Sequence, residues 1–262
     1  MKLSSSIKIT CAAVIVSLTA ITATHPNAAQ QSQFQASIQF SPPTPPDRGD
    51  PSDRGQGGGH RGLCDKAFPG LVALVPTPYP DLPENHWGLT VSDRPTVWFD
   101  IPSGIQENTL VEWRLRDSKS QTVYKTVLRL PKTQPGVVGF SITKPIPIGS
   151  YQWDLALYCD SSGIRSTDDV DFDLPLIRRG RLQRVAVPQP LQQALSVSKT
   201  SLDRAKSYAQ YGIWYDALTS LGTQLQSSQS KERTVSNAWS ELLRQQKLES
   251  KSSSIVTPCC TR

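Results

Sequence analysis

The stretch YQWDLALYC, residues 151–159, alternates between two kinds of side chain. Its odd-numbered positions carry Tyr, Trp, Leu, Leu and Cys, and its even-numbered positions carry Gln, Asp, Ala and Tyr. Side chains of a β-strand point alternately to the two faces of the sheet, whereas those of a helix repeat every 3.6 residues. The period of two therefore predicts a β-strand that buries the face carrying Trp153.

Six further runs between residues 63 and 174 are short and either apolar or alternating, and Pro, Gly, Asn and Asp separate them. They are residues 71–75, 97–101, 111–116, 124–130, 137–142 and 170–174. Seven short strands of this kind are typical of an antiparallel sandwich. Helical periodicity is absent from this part of the sequence, so a parallel α/β sheet is not expected. We predict an immunoglobulin-like β-sandwich over residues 63–177.

The apolar period becomes helical after Arg184. A short helix is predicted at Pro188–Val197, and Thr200–Asp203 resembles a capping box at the start of the next one. From Trp214 onward, apolar residues recur at the spacing of an amphipathic helix. The expected fold class is therefore α+β: an antiparallel sandwich followed by a small bundle of about three helices at 188–248.

The N-terminus has the pattern of an export signal. Lys2 and Lys8 precede Ile9–Ala23, an almost wholly apolar or small-residue run that is too short to cross a bilayer. We predict a signal peptide at residues 1–23, with an uncleaved signal anchor as the alternative. No later stretch is apolar enough to span a membrane, so we expect the mature protein in the periplasm or outside the cell.

Residues 24–62 are rich in Gln, Pro, Gly and Asp and contain no periodic apolar face. Pro42–Pro46 favours polyproline conformation, and Gly57–Gly59 favours flexibility. The glycine cluster lacks the Gly-Lys-Ser/Thr ending of a phosphate loop. We predict a disordered tether here and a second disordered segment in the tail, residues 249–262.

Cleavage of the signal peptide would leave four of the five cysteines. Cys64 and Cys159 are the expected disulfide pair in an oxidising compartment, and two buried free thiols are the alternative. A disulfide between the adjacent residues Cys259 and Cys260 would be strained. We therefore expect them to be free thiols or to form a disulfide with another chain.

Composition argues against several classes of function. The 262 residues carry 28 Lys and Arg against 22 Asp and Glu, a mild excess of +6 that gives no reason to expect nucleic acid as a partner. Only three His occur, His86 being the one in the strand region, and no Gly-x-Ser-x-Gly motif is present. We assign no catalytic, metal-binding or cofactor-binding residue and expect no cofactor.

Two charged runs lie at the end of the strand region. Asp169, Asp171 and Asp173 would share one strand face, but alternate carboxylates on a strand are too far apart to hold one calcium ion. A solvated face is the expected role. The basic run Arg178–Arg184 follows directly and is interpreted as a charged connector that neutralises the acidic strand or touches an anionic polymer.

Four aromatic residues cluster around Gly212, and three of them are candidates for contact with a partner: Tyr211, Trp214 and Tyr215. Trp98 in the strand region joins this candidate set. Aromatic faces stack on sugars or clamp peptides, but they also form cores and interfaces between layers. Both interpretations remain open from the sequence, with packing favoured.

Several motifs together resemble the cyanobacterial domain of unknown function 928 family over about residues 55–248. They are Gly57–Arg61 ahead of Cys64, Leu71–Pro76, Pro95–Phe99, Pro135–Val138, Tyr151–Trp153 with Cys159–Asp160, Gly212–Leu218, and Trp239–Leu243. The most specific of these is Gly212–Leu218, GIWYDAL. The resemblance implies an exported protein of a photosynthetic bacterium, and it supplies no activity, substrate or catalytic residue.

The function expected from these patterns is non-catalytic binding of an envelope protein or polysaccharide, through a sheet face or edge or through the aromatic helical hairpin. One alternative is carbohydrate binding through Trp98, Trp214 and Tyr215. Another is an uncharacterised hydrolase that uses Asp and Glu, which requires two carboxylates in one cleft. A purely structural part of the envelope is the third.

Overall fold

Two β-sheets and a layer of helices make up the part of the chain that the structure describes. The computed structural model describes residues 37–46, 63–79, 85–159, 175–227, 233–248 and Val256. The predicted signal peptide, the glycine-rich part of the tether, the acidic run at 168–173 and Cys259–Cys260 lie outside these residues.

The eight described strands fall into two sheets, each with its own order. The three-stranded sheet has the order β1–β3–β6, with β1 at Val72–Ala73, β3 at Thr96–Ile101 and β6 at Gly136–Ser141. The five-stranded sheet has the order β2–β8–β7–β4–β5, with β2 at Trp87–Thr90, β4 at Thr109–Asp117, β5 at Thr122–Leu130, β7 at Gly149–Tyr158 and β8 at Leu176–Arg184. The fold class is α+β, as the sequence predicts.

The two sheets pack face to face through aromatic side chains. The ring of Phe99 on β3 lies edge-on to Trp113 at 6.3 Å, to Phe140 at 5.7 Å and to Trp153 at 5.5 Å between centroids. Edge-to-face pairs at such distances add favourable electrostatics to the burial of apolar area. Phe99 therefore lies at the centre of the seam between the sheets.

Strand β8 corrects two sequence-based expectations. The basic run Arg178–Arg184 is a strand rather than a connector, so the sheet region extends beyond the predicted boundary at residue 177. Arg178 is buried because its Nε donates to the carbonyl of Leu71 at 2.9 Å, and this hydrogen bond lets a cation occupy a core-facing position. Because an arginine occupies a buried position of β8, the alternation of apolar and polar residues that indicates a strand is not recognisable in the sequence.

The expectation of a purely antiparallel sandwich is wrong at one strand pair. Strand β2 pairs with β8 in parallel, with Trp87 opposite Arg181, while every other described pair is antiparallel. The alternation of side chains determines which face of a strand is buried, and it carries no information about which strand lies alongside or in which direction.

Five described helices accompany the sheets: α1 at Leu63–Ala67, α2 at Gln189–Val197, α3 at Ser201–Gln210, α4 at Trp214–Ser227 and α5 at Arg233–Gln245. The capping box predicted at Thr200–Asp203 is present, with both reciprocal hydrogen bonds. Four helices rather than about three follow the sheets.

Helix α4 packs on β2 and β3, and β3 is buried at all six positions because the second sheet covers one face and helices cover the other.

Part of the predicted tether is packed on the protein. Ile38 and Phe40 are buried, and the Phe40 ring lies edge-on to Trp214 at 5.0 Å. The backbone N–H of Ser41 donates to the carbonyl of Ala209 at 3.0 Å. Disorder is therefore wrong for residues 37–46, because two alternating apolar side chains find a groove on the helices that a local pattern does not reveal.

The predicted disordered tail also contains one ordered contact. Val256 forms a parallel bridge with Val137 on β6, and it is buried. A single apolar residue of the tail thus extends the three-stranded sheet at its β6 edge.

The disulfide predicted between Cys64 and Cys159 is confirmed, and it links α1 to the residue that follows β7. Cys64 itself is buried. Among the helices of the described residues, none has the length and apolar character needed to cross a membrane.

Candidate functional site

The four aromatic residues proposed as contacts do not form an exposed surface. Trp98, Trp214 and Tyr215 are at most 2% exposed, and Tyr211 is half-buried. A buried ring has no open face on which a sugar can stack, and only Tyr215 of the three also borders the pocket described below. Burial of three of the four rings favours the packing interpretation for them, and contact of these residues with a partner stays a prediction.

Trp214 and Tyr215 anchor the start of α4 to the sheets by hydrogen bonds. The indole Nε1 of Trp214 donates to the carbonyl of Leu74 at 2.9 Å. The Tyr215 hydroxyl accepts from Nε1 of Trp153 and donates to the carbonyl of Arg181, each at 3.0 Å. Each buried polar tip thus has a partner, which is what a packing residue of this type requires.

Trp98 is held in the same way from β3. Its Nε1 donates to the hydroxyl of Thr219 at 3.1 Å, and its ring lies edge-on to Trp239 at 6.0 Å. Gly222 on α4 lies so close that a Cβ there would come within 2.7 Å of the Trp98 ring. Trp98 therefore fills the space between the three-stranded sheet and the helices.

Asp216 completes the motif and supplies its polar contact. Its Oδ2 accepts from the hydroxyl of Thr90 at 2.7 Å and from the backbone N–H of Val91 at 3.1 Å. The N–H of Ser92 donates to the Thr90 hydroxyl oxygen, which leaves the Thr90 hydrogen for Asp216. Three consecutive residues of GIWYDAL thus join α4 to three separate parts of the β-sheet region.

A polar pocket opens beside Asp216, between α3 and α4 on one side and the segment that joins β2 to β3 on the other. Its volume is about 290 Å³. Seven Ser and Thr side chains line it: Thr90, Ser92, Thr96, Ser201, Thr219, Ser220 and Thr223. Arg94, Arg204 and Tyr208 also contribute to its wall. Such a cavity presents many hydrogen-bonding groups alongside apolar surface.

Each of the two arginines of the pocket is held by a hydrogen bond to a neighbouring residue. Arg94 donates from Nε to the carbonyl of Thr143 at 3.2 Å. Arg204 donates from Nη2 to the Tyr208 hydroxyl at 3.2 Å, and its guanidinium lies 5.9 Å from the centre of the Tyr208 ring. These contacts orient two cationic groups at a pocket in which Asp216 is the only lining carboxylate among the described residues.

The environment of Asp216 favours a proton on its carboxyl group. Burial raises the pKa of Asp216 to about 6, and the hydrogen bonds from Thr90 and Val91 oppose that rise without cancelling it. Burial also raises the pKa of the Tyr208 hydroxyl, so Tyr208 stays neutral at physiological pH. Near pH 6 the pocket therefore changes its charge through Asp216.

This raised pKa predicts a pH-dependent stability. Because the folded pKa is about 6 and the ordinary value is 3.8, the folded chain keeps a proton that the unfolded chain releases. The stabilisation is complete below about pH 4 and is lost as pH rises through 6, by up to about 3 kcal/mol. We expect the free energy of unfolding, measured in urea from pH 4 to 8, to fall less in Asp216→Asn than in the parent protein.

Asp203→Asn is the matched control for that experiment. The hydrogen bond with Thr200 lowers the pKa of Asp203, so its contribution is present at neutral pH and is lost on acidification. The two difference curves should therefore slope in opposite directions. Parallel curves for Asp216→Asn and the parent protein would show that Asp216 ionises at its ordinary pH.

The arrangement does not provide the groups of the common hydrolytic mechanisms. Glycoside hydrolysis requires two carboxylates across one bond, and the described lining of the pocket holds only Asp216. His86, the one histidine in the described residues, lies away from the pocket with Nδ1 3.0 Å from the Val75 carbonyl oxygen and its ring stacked on Trp153. No group of three or more His, Cys, Asp or Glu side chains in the described part could hold a metal ion.

The family model described as Domain of Unknown Function (DUF928) matches residues 56–256. The chain belongs to this family. No curated protein matches it. The DUF928 region contains all the residues that line the pocket together with the whole GIWYDAL motif.

Sequence reasoning on this DUF928 chain singled out the motif and missed the pocket beside it. The lining comes from three separate stretches, residues 90–96, 201–208 and 215–223, and Ser and Thr carry no recognisable spacing there. The sequence contained one signal for the pocket. Asp216 follows two aromatic residues at the start of an apolar helix, and a carboxylate in such surroundings needs hydrogen-bond donors from elsewhere in the protein.

Proposed function

We propose that this chain is an exported, non-catalytic binding module of the cell envelope, built on an immunoglobulin-like sandwich, and that the polar pocket is its ligand site. The observation that carries the proposal is the composition of the pocket wall: seven Ser and Thr side chains, two arginines and one half-buried carboxylate. Convergent polar groups in a concave site are what recognition of a small polar ligand requires.

The ligand chemistry that suits this wall is an acidic sugar, as a free unit or at the end of an envelope polysaccharide. The guanidinium groups of Arg94 and Arg204 would pair with its carboxylate, since arginine forms charge-assisted hydrogen bonds with such groups. Asp216 and the Thr and Ser hydroxyls would receive or donate hydrogen bonds to the sugar hydroxyls. The Tyr208 hydroxyl borders the pocket beside them.

Export is supported by the cysteine chemistry and by the N-terminal pattern. The disulfide between Cys64 and Cys159 is of a kind that persists in oxidising compartments such as the periplasm. Residues 1–23 carry the pattern of a signal peptide, and the family resemblance suggests a cyanobacterial envelope. Location in the periplasm or outside the cell is part of the proposal.

Two rival functions receive less support. Sugar stacking on Trp98, Trp214 and Tyr215 would require rings that are open to solvent, and these rings are buried. A hydrolase based on Asp and Glu would require a second carboxylate opposite Asp216, and the described lining offers none. A binding role in the pocket needs neither feature.

Substitution of one pocket arginine tests the proposal. We expect glucuronate at millimolar concentration to raise the melting temperature of the parent protein, because a ligand that binds only the folded state stabilises it. Arg204→Gln should reduce that shift to less than about half, since it removes a charged hydrogen bond to the carboxylate. Differential scanning fluorimetry measures the shift.

Lys206→Gln is the matched control, because it removes the same charge from the same helix at a residue that does not line the pocket. Glucose serves as the ligand without a carboxylate. The proposal fails if glucuronate and glucose give equal shifts, or if Arg204→Gln and Lys206→Gln respond identically to glucuronate.

A further inference from the structure

A row of charged residues crosses the outer face of the five-stranded sheet, on the side opposite the seam with the other sheet. Arg114 on β4 lies directly opposite Lys125 on β5 and Asp154 on β7, and Asp154 lies directly opposite Arg179 on β8. These residues alternate with Trp113 and Trp153, which point into the core. Four neighbouring strands thus present charge along one line.

Asp154 is the centre of this row and orients the arginines around it. Its carboxylate oxygens lie 3.2 Å from Nε of Arg114, 3.1 Å from Nη2 of Arg116 and 3.0 Å from Nε of Arg179. The Asp154 side chain is 3% exposed, whereas the three arginine side chains are 25% to 34% exposed. The carboxylate is therefore covered by guanidinium groups whose outer parts face solvent.

The cations of this face outnumber its carboxylates. We define the basic face as Arg114 and Arg116 on β4, Lys125 and Arg129 on the edge strand β5, and Arg179 on β8. Only two carboxylates, Asp154 and Glu112, lie among them in the described residues, and Glu112 contacts Lys125 at 2.9 Å. An excess of three positive charges remains on one rigid sheet face.

Neutralising Asp154 does not require three arginines. One guanidinium partner compensates a buried carboxylate, and each further cation adds repulsion and desolvation that must be offset elsewhere. The additional arginines are explained if an anion approaches from solvent and shares them. Because Asp154 already holds their guanidinium groups in place, little side-chain entropy is lost when such an anion binds.

We infer that the basic face binds an anionic polysaccharide that runs across the strands. Cations on adjacent strands are spaced by roughly 5 Å, so a linear polymer with a charge on each unit can contact several of them at once. The surface of a twisted sheet is saddle-shaped rather than flat. A linear polymer can follow such a surface more closely than a flat bilayer can. This surface is distinct from the pocket, and the inference does not require the pocket to bind anything.

Binding to immobilised polymers tests the inference. We expect the full chain to bind alginate, a polyuronate, and to release it as salt screens the charges, while neutral dextran is not bound. The double variant Lys125→Gln with Arg129→Gln removes two exposed cations without touching Asp154. It should weaken alginate binding about tenfold in biolayer interferometry at low salt, if each exposed charge contributes as surface ion pairs do.

The matched control is Lys199→Gln with Lys206→Gln, which removes the same charge from the helical layer. A second variant, Arg179→Gln, leaves Asp154 with two arginines and should also weaken binding, provided that its unfolding curve shows an intact fold. The inference is overturned if the control weakens binding as much as the face variant, or if neither variant changes it. Tighter binding to vesicles of phosphatidylglycerol than to alginate would also overturn it, in favour of a membrane surface.

Discussion

Trp214→Ala should lose about 4 kcal/mol of folding stability, the usual cost of removing a buried tryptophan side chain. The substitution opens a cavity beside Phe40, whose ring packs edge-on against Trp214. It also leaves the carbonyl of Leu74 without the indole N–H that now donates to it, which adds the cost of an unpaired buried acceptor. Urea unfolding followed by near-ultraviolet circular dichroism measures the loss.

Two variants separate packing from ligand contact in that experiment. Trp214→Phe keeps an aromatic ring and removes the hydrogen bond and part of the ring volume, so its loss of stability should be smaller than that of Trp214→Ala. Tyr211→Ala changes a half-buried neighbour and should cost less than either. A Trp214→Ala protein that stays as stable as its parent but no longer binds its partner would restore the interpretation of Trp214 as a contact residue.

Removal of the disulfide should produce a loss of similar size. The bond between Cys64 and Cys159 joins residues separated by 95 positions, so it restricts a long loop of the unfolded chain. In the chain-entropy description a loop of that length corresponds to about 5 kcal/mol. We expect the double variant Cys64→Ser with Cys159→Ser to unfold at a correspondingly lower urea concentration than the oxidised protein.

Reduction of the parent protein by dithiothreitol is the control, because it opens the same bond without changing any other side chain. The reduced parent and the double variant should unfold at about the same urea concentration. An unchanged midpoint in both would mean that native-state strain offsets the restriction of the unfolded chain. A change in the variant alone would point to loss of the buried Cys64 side chain from the core.

Local patterns determined much of the fold. The period of two in residues 151–159 corresponds to β7, the same pattern correctly placed strands at β3, β4 and β5, and a short apolar run placed β6. The capping box at Thr200–Asp203 starts α3 as predicted, because its hydrogen bonds lie within four consecutive residues. The pairing of Cys64 with Cys159 followed from the number of cysteines and the expected compartment.

Long-range contacts decided what these patterns do not contain. Arg178 is buried because the Leu71 carbonyl, 107 positions away, accepts its hydrogen bond, and β8 was missed for that reason. Phe40 is buried because α4 places Trp214 against it. Neither partner is visible from the neighbouring sequence.

The pocket and the basic face also show which features local sequence patterns determine and which depend on long-range contacts. The sequence by itself identified GIWYDAL as a special segment, the fold class from local periodicity, and the disulfide from the number of cysteines and the expected compartment. The tertiary structure alone decided that Trp214 and Tyr215 face inward while Asp216 opens to a pocket, and that Arg114 and Arg179 meet at Asp154. A periodic pattern determines which side chains share a face, but only the packing of distant elements determines whether that face meets protein or solvent.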